Sequence, residues 1–287
     1  MPSSRCLKRW KRNRRRRWRN VTELLDIGAG VETGSYRLHS RFHAALAFTC
    51  ETTGSLVWVV DESKPAGAVN LVVRDLDWRR AHFLEVRPDI VWIGSSRLAI
   101  GRRSAWRLPR RKRAAPRLAR NLAALRRSLI GTAAARSLVF LLSAAQPADS
   151  PFARALADRF RAGVSRLTAA DAQGAEMIRG LGFGLTPGGD DFLAGFLLGL
   201  WALDDGPDDF RQAVAALDTS RNPFSAALLA NAVRGCSIEP AWSMVDALFT
   251  KSYADVARHS SRLAEVGASS GADLATGLYF GLKGAAA

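Results

Sequence analysis

Cysteine is scarce in this chain. There are three, Cys6, Cys50 and Cys236, odd in number and far apart. That excludes a disulfide framework and fits a reducing, cytoplasmic setting. Histidine is nearly as scarce, with four in 287 residues. His39 and His43 have the i, i+4 spacing of a helical metal pair, but no Glu or third ligand accompanies them and their context reads as extended. With His82 they are read as surface or core histidines. His259 is the only histidine of the C-terminal half, where no Ser–His–Asp, Cys–His or zinc arrangement is visible. Long apolar runs are missing too. None reaches the ~18–20 residues of a membrane helix. No apolar stretch of roughly 7–15 residues follows the basic start, so neither a membrane span nor a signal peptide is expected.

Acid is missing from two segments. Residues 1–20 hold ten Lys/Arg and residues 102–120 hold nine, and neither segment holds a carboxylate. Together they account for the formal charge of +16 and leave the remainder slightly acidic. The folded body is therefore not a generally basic nucleic-acid binder. Any such contact falls to residues 1–20, where Trp10 and Trp18 could stack on bases beside the cations. The chain is 48% hydrophobic and long enough for one large or two small domains with a substantial core.

The pattern divides in three. Residues 1–29 read as a basic, disordered arm. Residues 30–108 read as β-rich, with runs at Leu56–Val60, Val69–Val73, Ile90–Ile93 and Arg97–Ile100 separated by Gly, Pro and Ser turns, as in an antiparallel sheet or small barrel. The basic connection, with Pro109 and Pro116, leads into a helical region over 109–287. There Leu118, Leu122, Leu125 and Leu129 form one stripe. Ser150-Pro151 and Asn222-Pro223 read as helix starts, the second helix closing near Arg234-Gly235, and Thr168 with Asp171 reads as a capping box. The expected fold is thus α+β, a barrel-like antiparallel unit followed by a helical one.

The helical region centres on residues 181–200, LGFGLTPGGDDFLAGFLLGL. The glycines and proline force a tight turn. Thr186-Pro187 suits an N-cap and first helical position, and the apolar run beyond Asp190 and Asp191 is too hydrophobic for a surface helix. Free N–H groups at such a start can hold an anion, and the two aspartates can stabilise the same end or hold a cation. The theme returns at residues 267–282, GASSGADLATGLYFGL. Aligning 168–200 with 250–282 superposes Gly189 on Gly271, Asp191 on Asp273, Gly195 on Gly277 and Gly199 on Gly281. Interior helical glycines each cost about 0.8–1.0 kcal/mol against Ala. Close approach of two buried helices would offset that. Parallel packing would bring Asp191 and Asp273 to one site, whereas antiparallel packing would put them at opposite ends.

The stretch GLGFGLTPGGDDFLAG resembles the glycine-rich signature of the AllH family, the oxamate carbamoyltransferase subunit family. The matching residues are Gly182, Gly184, Leu185, Thr186, Pro187, Gly189, Asp190, Asp191, Phe192, Leu193 and Gly195. Ser270-Gly271-Ala272-Asp273-Leu274 is similar to the family's later Ser-Gly-x-Asp-Leu element. Gly188 stands where the family pattern has Ser. The likeness runs over about residues 30 to 283, is specific in these two patches, and leaves the arginine-rich start outside. It implies a subunit of an enzyme moving a carbamoyl group between phosphate and oxamate in purine (allantoin) breakdown, with other subunits as partners.

The expected site follows from both lines. Asp190 and Asp191 are the catalytic candidates, as metal ligands (Mg2+ among the possibilities) or as groups orienting a substrate nitrogen. Gly182, Gly184, Thr186, Gly188, Gly189, Ser270, Gly271 and Asp273 are the candidates for binding a small anionic metabolite such as carbamoyl phosphate. The alternative from the same residues is a non-catalytic scaffold subunit.

Overall fold

The computed structural model describes residues 21–110, 117–132, 137–143, 150–203, 208–216 and 222–283. The basic arm of residues 1–20, and residues 111–116 of the basic connection, lie outside them. The chain divides into two units, one formed by the residues up to 27 with 31–64 and 70–103, the other by residues 104 onward with 28–30 and 65–69.

The first unit is an eight-stranded sheet of β1 (Glu23–Ile27), β2 (Gly34–Phe42), β3 (Ala45–Cys50), β4 (Leu56–Asp61), β5 (Asn70–Arg74), β6 (Phe83–Val86), β7 (Ile90–Ile93) and β8 (Ser96–Ala99). The order is β1-β5-β4-β3-β2-β6-β7-β8. The Ser96 hydroxyl donates to Thr22 Oγ1 at 3.1 Å, so the two edges of the sheet meet and the barrel is nearly closed. Strand β1 lies within residues 1–29, which the sequence pattern assigns to the arm. Its Leu24 and Ile27 lie opposite Val73 and Leu71 of β5, with a bulge between Leu24 and Asp26. All pairs are antiparallel except β4 with β5, which run parallel. A tight turn cannot join parallel strands, and here residues 62–69 make the crossover. Inward-facing residues such as Phe48, Val59, Leu71, Val91 and Ile93 form a core of their own.

The second unit is helical. Its described elements are α1 (Leu118–Thr132), a 3-10 turn (Leu138–Leu142), α2 (Pro151–Thr168), α3 (Gln173–Ile178), α4 (Gly188–Ala202), α5 (Asp208–Ala215), α6 (Pro223–Ala232), α7 (Glu239–Thr250), α8 (Tyr253–Ala264) and α9 (Ser270–Lys283). The leucine stripe of α1 is buried along its length. Ser150 caps α2 by accepting from the Ala153 N–H, and Asn222 caps α6 by accepting from Phe224 and Ser225. Thr168 and Asp171 do not form a capping box. The Thr168 hydroxyl turns back to the Val164 and Ser165 carbonyls in the last turn of α2, while Asp171 accepts from Gln173 and opens α3. A true capping box joins Ser252 and Asp255 at the start of α8.

Helix α4 is buried on every side except at Leu200, as its apolar sequence demands. Its partner is α9, and the two run parallel. A Cβ on Gly195 would lie 1.9 Å from the Leu274 carbonyl oxygen, and one on Gly277 would lie 1.9 Å from the Phe192 oxygen. Residue 274 is the repeat equivalent of 192, and 277 of 195. The next pair is reciprocal in the same way, with the Gly199 Cβ position 2.9 Å from Gly281 Cα and that of Gly281 3.1 Å from Gly199 Cα. The repeat is therefore a local two-fold relation whose axis runs along the helix pair.

Candidate functional site

Parallel packing puts both helix starts, and both aspartates, at one end. Asp191 and Asp273 are 3% and 1% exposed. Asp191 Oδ1 accepts from the Thr186 hydroxyl at 2.8 Å, while its Oδ2 is buried and has no hydrogen-bond partner. Asp273 Oδ1 accepts the Leu138 N–H at 2.6 Å, a contact 135 residues away in sequence. Burial pushes the Asp191 carboxyl up to about 7. The hydroxyls of Ser270 and Thr186 pull it down, and the charges of Asp273 and Asp190 push it further up. Burial likewise raises Asp273 to about 7, against the Leu138 N–H and the Ser269 hydroxyl. No cation enters the balance for Asp273, and none is among the leading influences on Asp191. The two groups form a desolvated acid pair.

Asp190 is also buried, but both of its oxygens are engaged. Oδ1 accepts from the Gly180 N–H at 2.8 Å and Oδ2 from the Ser225 hydroxyl at 2.5 Å. It ties the glycine-rich loop to α6. Among the described residues no group of three or more His, Cys, Asp or Glu is placed to hold a metal ion.

The loop over residues 180–187 meets Asp190 at Gly180 and Asp191 at Thr186. Gly182 and Gly184 take φ of +110° and +111°, which side chains rarely tolerate, and lift Phe183 and Leu185 into solvent. Asn222 Nδ2 holds the loop by donating to the Leu185 carbonyl at 2.9 Å. Thr186 is not the helix cap. Its hydroxyl is drawn to Asp191 instead, and α4 begins at Gly188 with Pro187 in the cap position. The N–H groups at this start are largely committed. Gly189 donates to Leu181, and Asp190 and Asp191 both donate to Pro187. At α9, Gly271 donates to Val266 and Asp273 to Ser269.

Gly189 and Gly271 are equivalent in position and in packing. A Cβ on either would lie 1.9 or 1.8 Å from a carbonyl oxygen, of Ile178 and of Leu263. Gly188 and Ser270 are equivalent in position but not in chemistry. Ser270 offers Asp191 a hydroxyl, whereas Gly188 offers Asp273 none, and a Cβ there would lie 2.9 Å from Asp273 Oδ2. The flexible end of a carboxylate can yield that distance. Gly188→Ser will therefore supply the missing donor and stiffen the unfolded chain, gaining about 0.4–1 kcal/mol. Thermal melts at pH 8 check this, and a lower melting temperature would mean that Asp273 is held too rigidly to move.

Of the groups that build the site, Leu138, Ser225 and Asn222 carry no local signal of it. Only Asn222 stands out in the sequence, as a helix cap, and its second bond to the loop is visible only in three dimensions.

No curated protein and no solved structure matches the chain. Residues 178–282 match the family model described as oxamate carbamoyltransferase subunit AllH. The match spans the glycine-rich loop, α4 and nearly all of α9, and leaves out the β unit. Over residues 178–282 the chain is thus AllH-like, and that segment is the one that builds the paired helices and their buried acids.

Proposed function

We propose that this protein is a subunit of a carbamoyltransferase-related enzyme in which Asp191 and Asp273 act together on a proton of a substrate nitrogen. One observation carries the reading: the two-fold related helices bring both carboxyls to one end, where Asp191 Oδ2 is buried without a partner. Carbamoyl transfer to nitrogen requires this service. As the nitrogen lone pair forms the bond to the carbamoyl carbon, the bond to the leaving oxygen breaks and the nitrogen must lose a proton. A carboxyl tuned close to neutrality can accept that proton and return it in the reverse direction.

The same geometry orients the substrate. Three carboxyls repel a phosphate dianion, and the amides of Gly189, Asp190 and Asp191 already serve chain carbonyls. The nitrogen-bearing end of the substrate faces the acid pair, and cations of other subunits meet the phosphate of carbamoyl phosphate. Gly182 and Gly184 let the loop open, Thr186 and Ser270 orient Asp191, and exposed Phe183 and Leu185 offer the loop tip to those subunits.

The test is carbamoyl transfer from carbamoyl phosphate by the chain assembled with its co-purifying subunits. Asp273→Asn will lower kcat by about 10²–10⁴ with little change in KM, the range of a lost general acid or base. Full activity of that variant in an intact assembly would leave the scaffold reading in its place.

A further inference from the structure

The other end of α9 carries a second feature, independent of the acid pair. Lys283 lies ten residues beyond Asp273, about 15 Å along the helix. There α1 and α9 enclose a groove of about 450 Å³, floored by Leu122, Ile130 and Tyr279 and rimmed by Arg126, Arg127 and Lys283. Among the described residues no carboxylate lines it. Helix α1 contains no acidic residue at all, and the only one in α9 is Asp273 at its far end.

The cations are placed rather than paired off. Arg126 donates through Nε to the Leu142 carbonyl at 2.7 Å, which fixes the side chain and leaves its terminal nitrogens for a ligand. Arg127 lies 5.8 Å from the centre of the Tyr253 ring, an attraction that orients the guanidinium without neutralising it. No ion pair engages Arg126, Arg127 or Lys283 among the described residues. Ile130 is 46% exposed, so apolar surface is left open between the charges.

We propose that this groove binds a small organic anion, a carboxylate carried on a short apolar chain. The apolar part would cover Leu122, Ile130 and Tyr279, and the carboxylate would meet the two guanidiniums and the ammonium, with Arg126 and Arg127 able to grip it through paired N–H groups. The volume lies within the roughly 300–1,000 Å³ of small-molecule sites. Neither half of the ligand suffices alone. Inorganic phosphate has nothing for the floor, and a neutral alcohol has nothing for the rim.

Titration calorimetry on the full chain at low salt tests this with three probes, octanoate, octanol and inorganic phosphate. Octanoate will bind saturably, with octanol and phosphate weaker by about tenfold or more. Arg127→Glu will weaken octanoate by about tenfold, as loss of a partly exposed charge contact does. Ala123→Trp, at an exposed position of the same wall, will block octanoate with every charge intact. Both variants will keep the parent melting temperature. The proposal is overturned if octanoate fails to bind at millimolar concentration, if octanol binds as well as octanoate, or if either variant leaves octanoate affinity unchanged. None of these outcomes depends on carbamoyl transfer.

Discussion

Asp191→Asn will melt several degrees above the parent at pH 8, and the gain will shrink at pH 5 and disappear near pH 4. The reason is the sign of the shift. Burial raises the Asp191 carboxyl to about 7 in the folded chain, whereas in the unfolded chain it titrates near 3.9. Between those values the folded state keeps a proton that the unfolded state has released. Stability therefore falls as pH rises through this window, and the full cost is present above about pH 7. The upper bound is about 4 kcal/mol for one group, reduced by its coupling to Asp273. Asparagine keeps an acceptor for Thr186 and carries no charge to desolvate. The parent should show the same trend, with a higher melting temperature at pH 5 than at pH 8 from both raised acids. Asp190→Asn is the contrast, since both Asp190 oxygens accept hydrogen bonds: an amide nitrogen towards Gly180 would face a backbone N–H, and one towards Ser225 would force that hydroxyl to turn and accept. It should lose stability at every pH. A fall in melting temperature for Asp191→Asn at pH 8 would mean that the Thr186 bond, not the buried charge, dominates that position.

The same positions show how far the sequence could be read. The spacing Gly-x-Asp-x-x-x-Gly-x-x-x-Gly, present twice, carries the α4–α9 contact because an interior glycine is unfavourable unless something must come close. Which ends meet is not in that spacing, since parallel and antiparallel packing use the same stripe. That choice rests on the connecting helices and on contacts such as Leu138 to Asp273, which no local pattern encodes. In the β unit the branched runs at β4, β5, β7 and β8 are legible. Strands β2 and β3 are less so: β2 does alternate, with Arg37, His39 and Arg41 outward between Tyr36, Leu38 and Ser40, but neither strand has a run of Val and Ile like that of β4, β5 or β7. The parallel pairing of β4 with β5 escapes for a related reason, because the crossover at 62–69 contains Pro and Gly and reads as a turn. At the site, the identity of the buried acids is visible in the sequence, but their roles are not. Asp190 and Asp191 are adjacent and alike in composition, yet one is satisfied twice and the other has an oxygen without a partner.

Gly277→Ala and Gly195→Ala will each cost more than about 4 kcal/mol, beyond the usual range for a single methyl. Each Cβ would sit 1.9 Å from a carbonyl oxygen and under 3 Å from its carbon, of Phe192 and of Leu274 respectively. Backbone within a buried helix cannot rotate away as a side chain can, so the only relief is for the helices to part. That exposes the Phe196 and Leu278 surfaces they share and opens voids between two close-packed elements. Gly131→Ala is the control, because a Cβ there meets nothing within 4 Å and the position is helical. It should be neutral or stabilising by up to about 1 kcal/mol. The two-fold relation adds a sharper expectation. Gly195 and Gly277 obstruct the same motion from opposite sides, so helices already parted by one alanine accommodate the other. The double variant should cost clearly less than the two singles together. Parting also separates Asp191 from Asp273 and admits water, so any variant that folds should lose the rise in stability from pH 8 to pH 5. Additive losses with that pH dependence intact would show that the glycines and the acid pair are independent features of the helix pair.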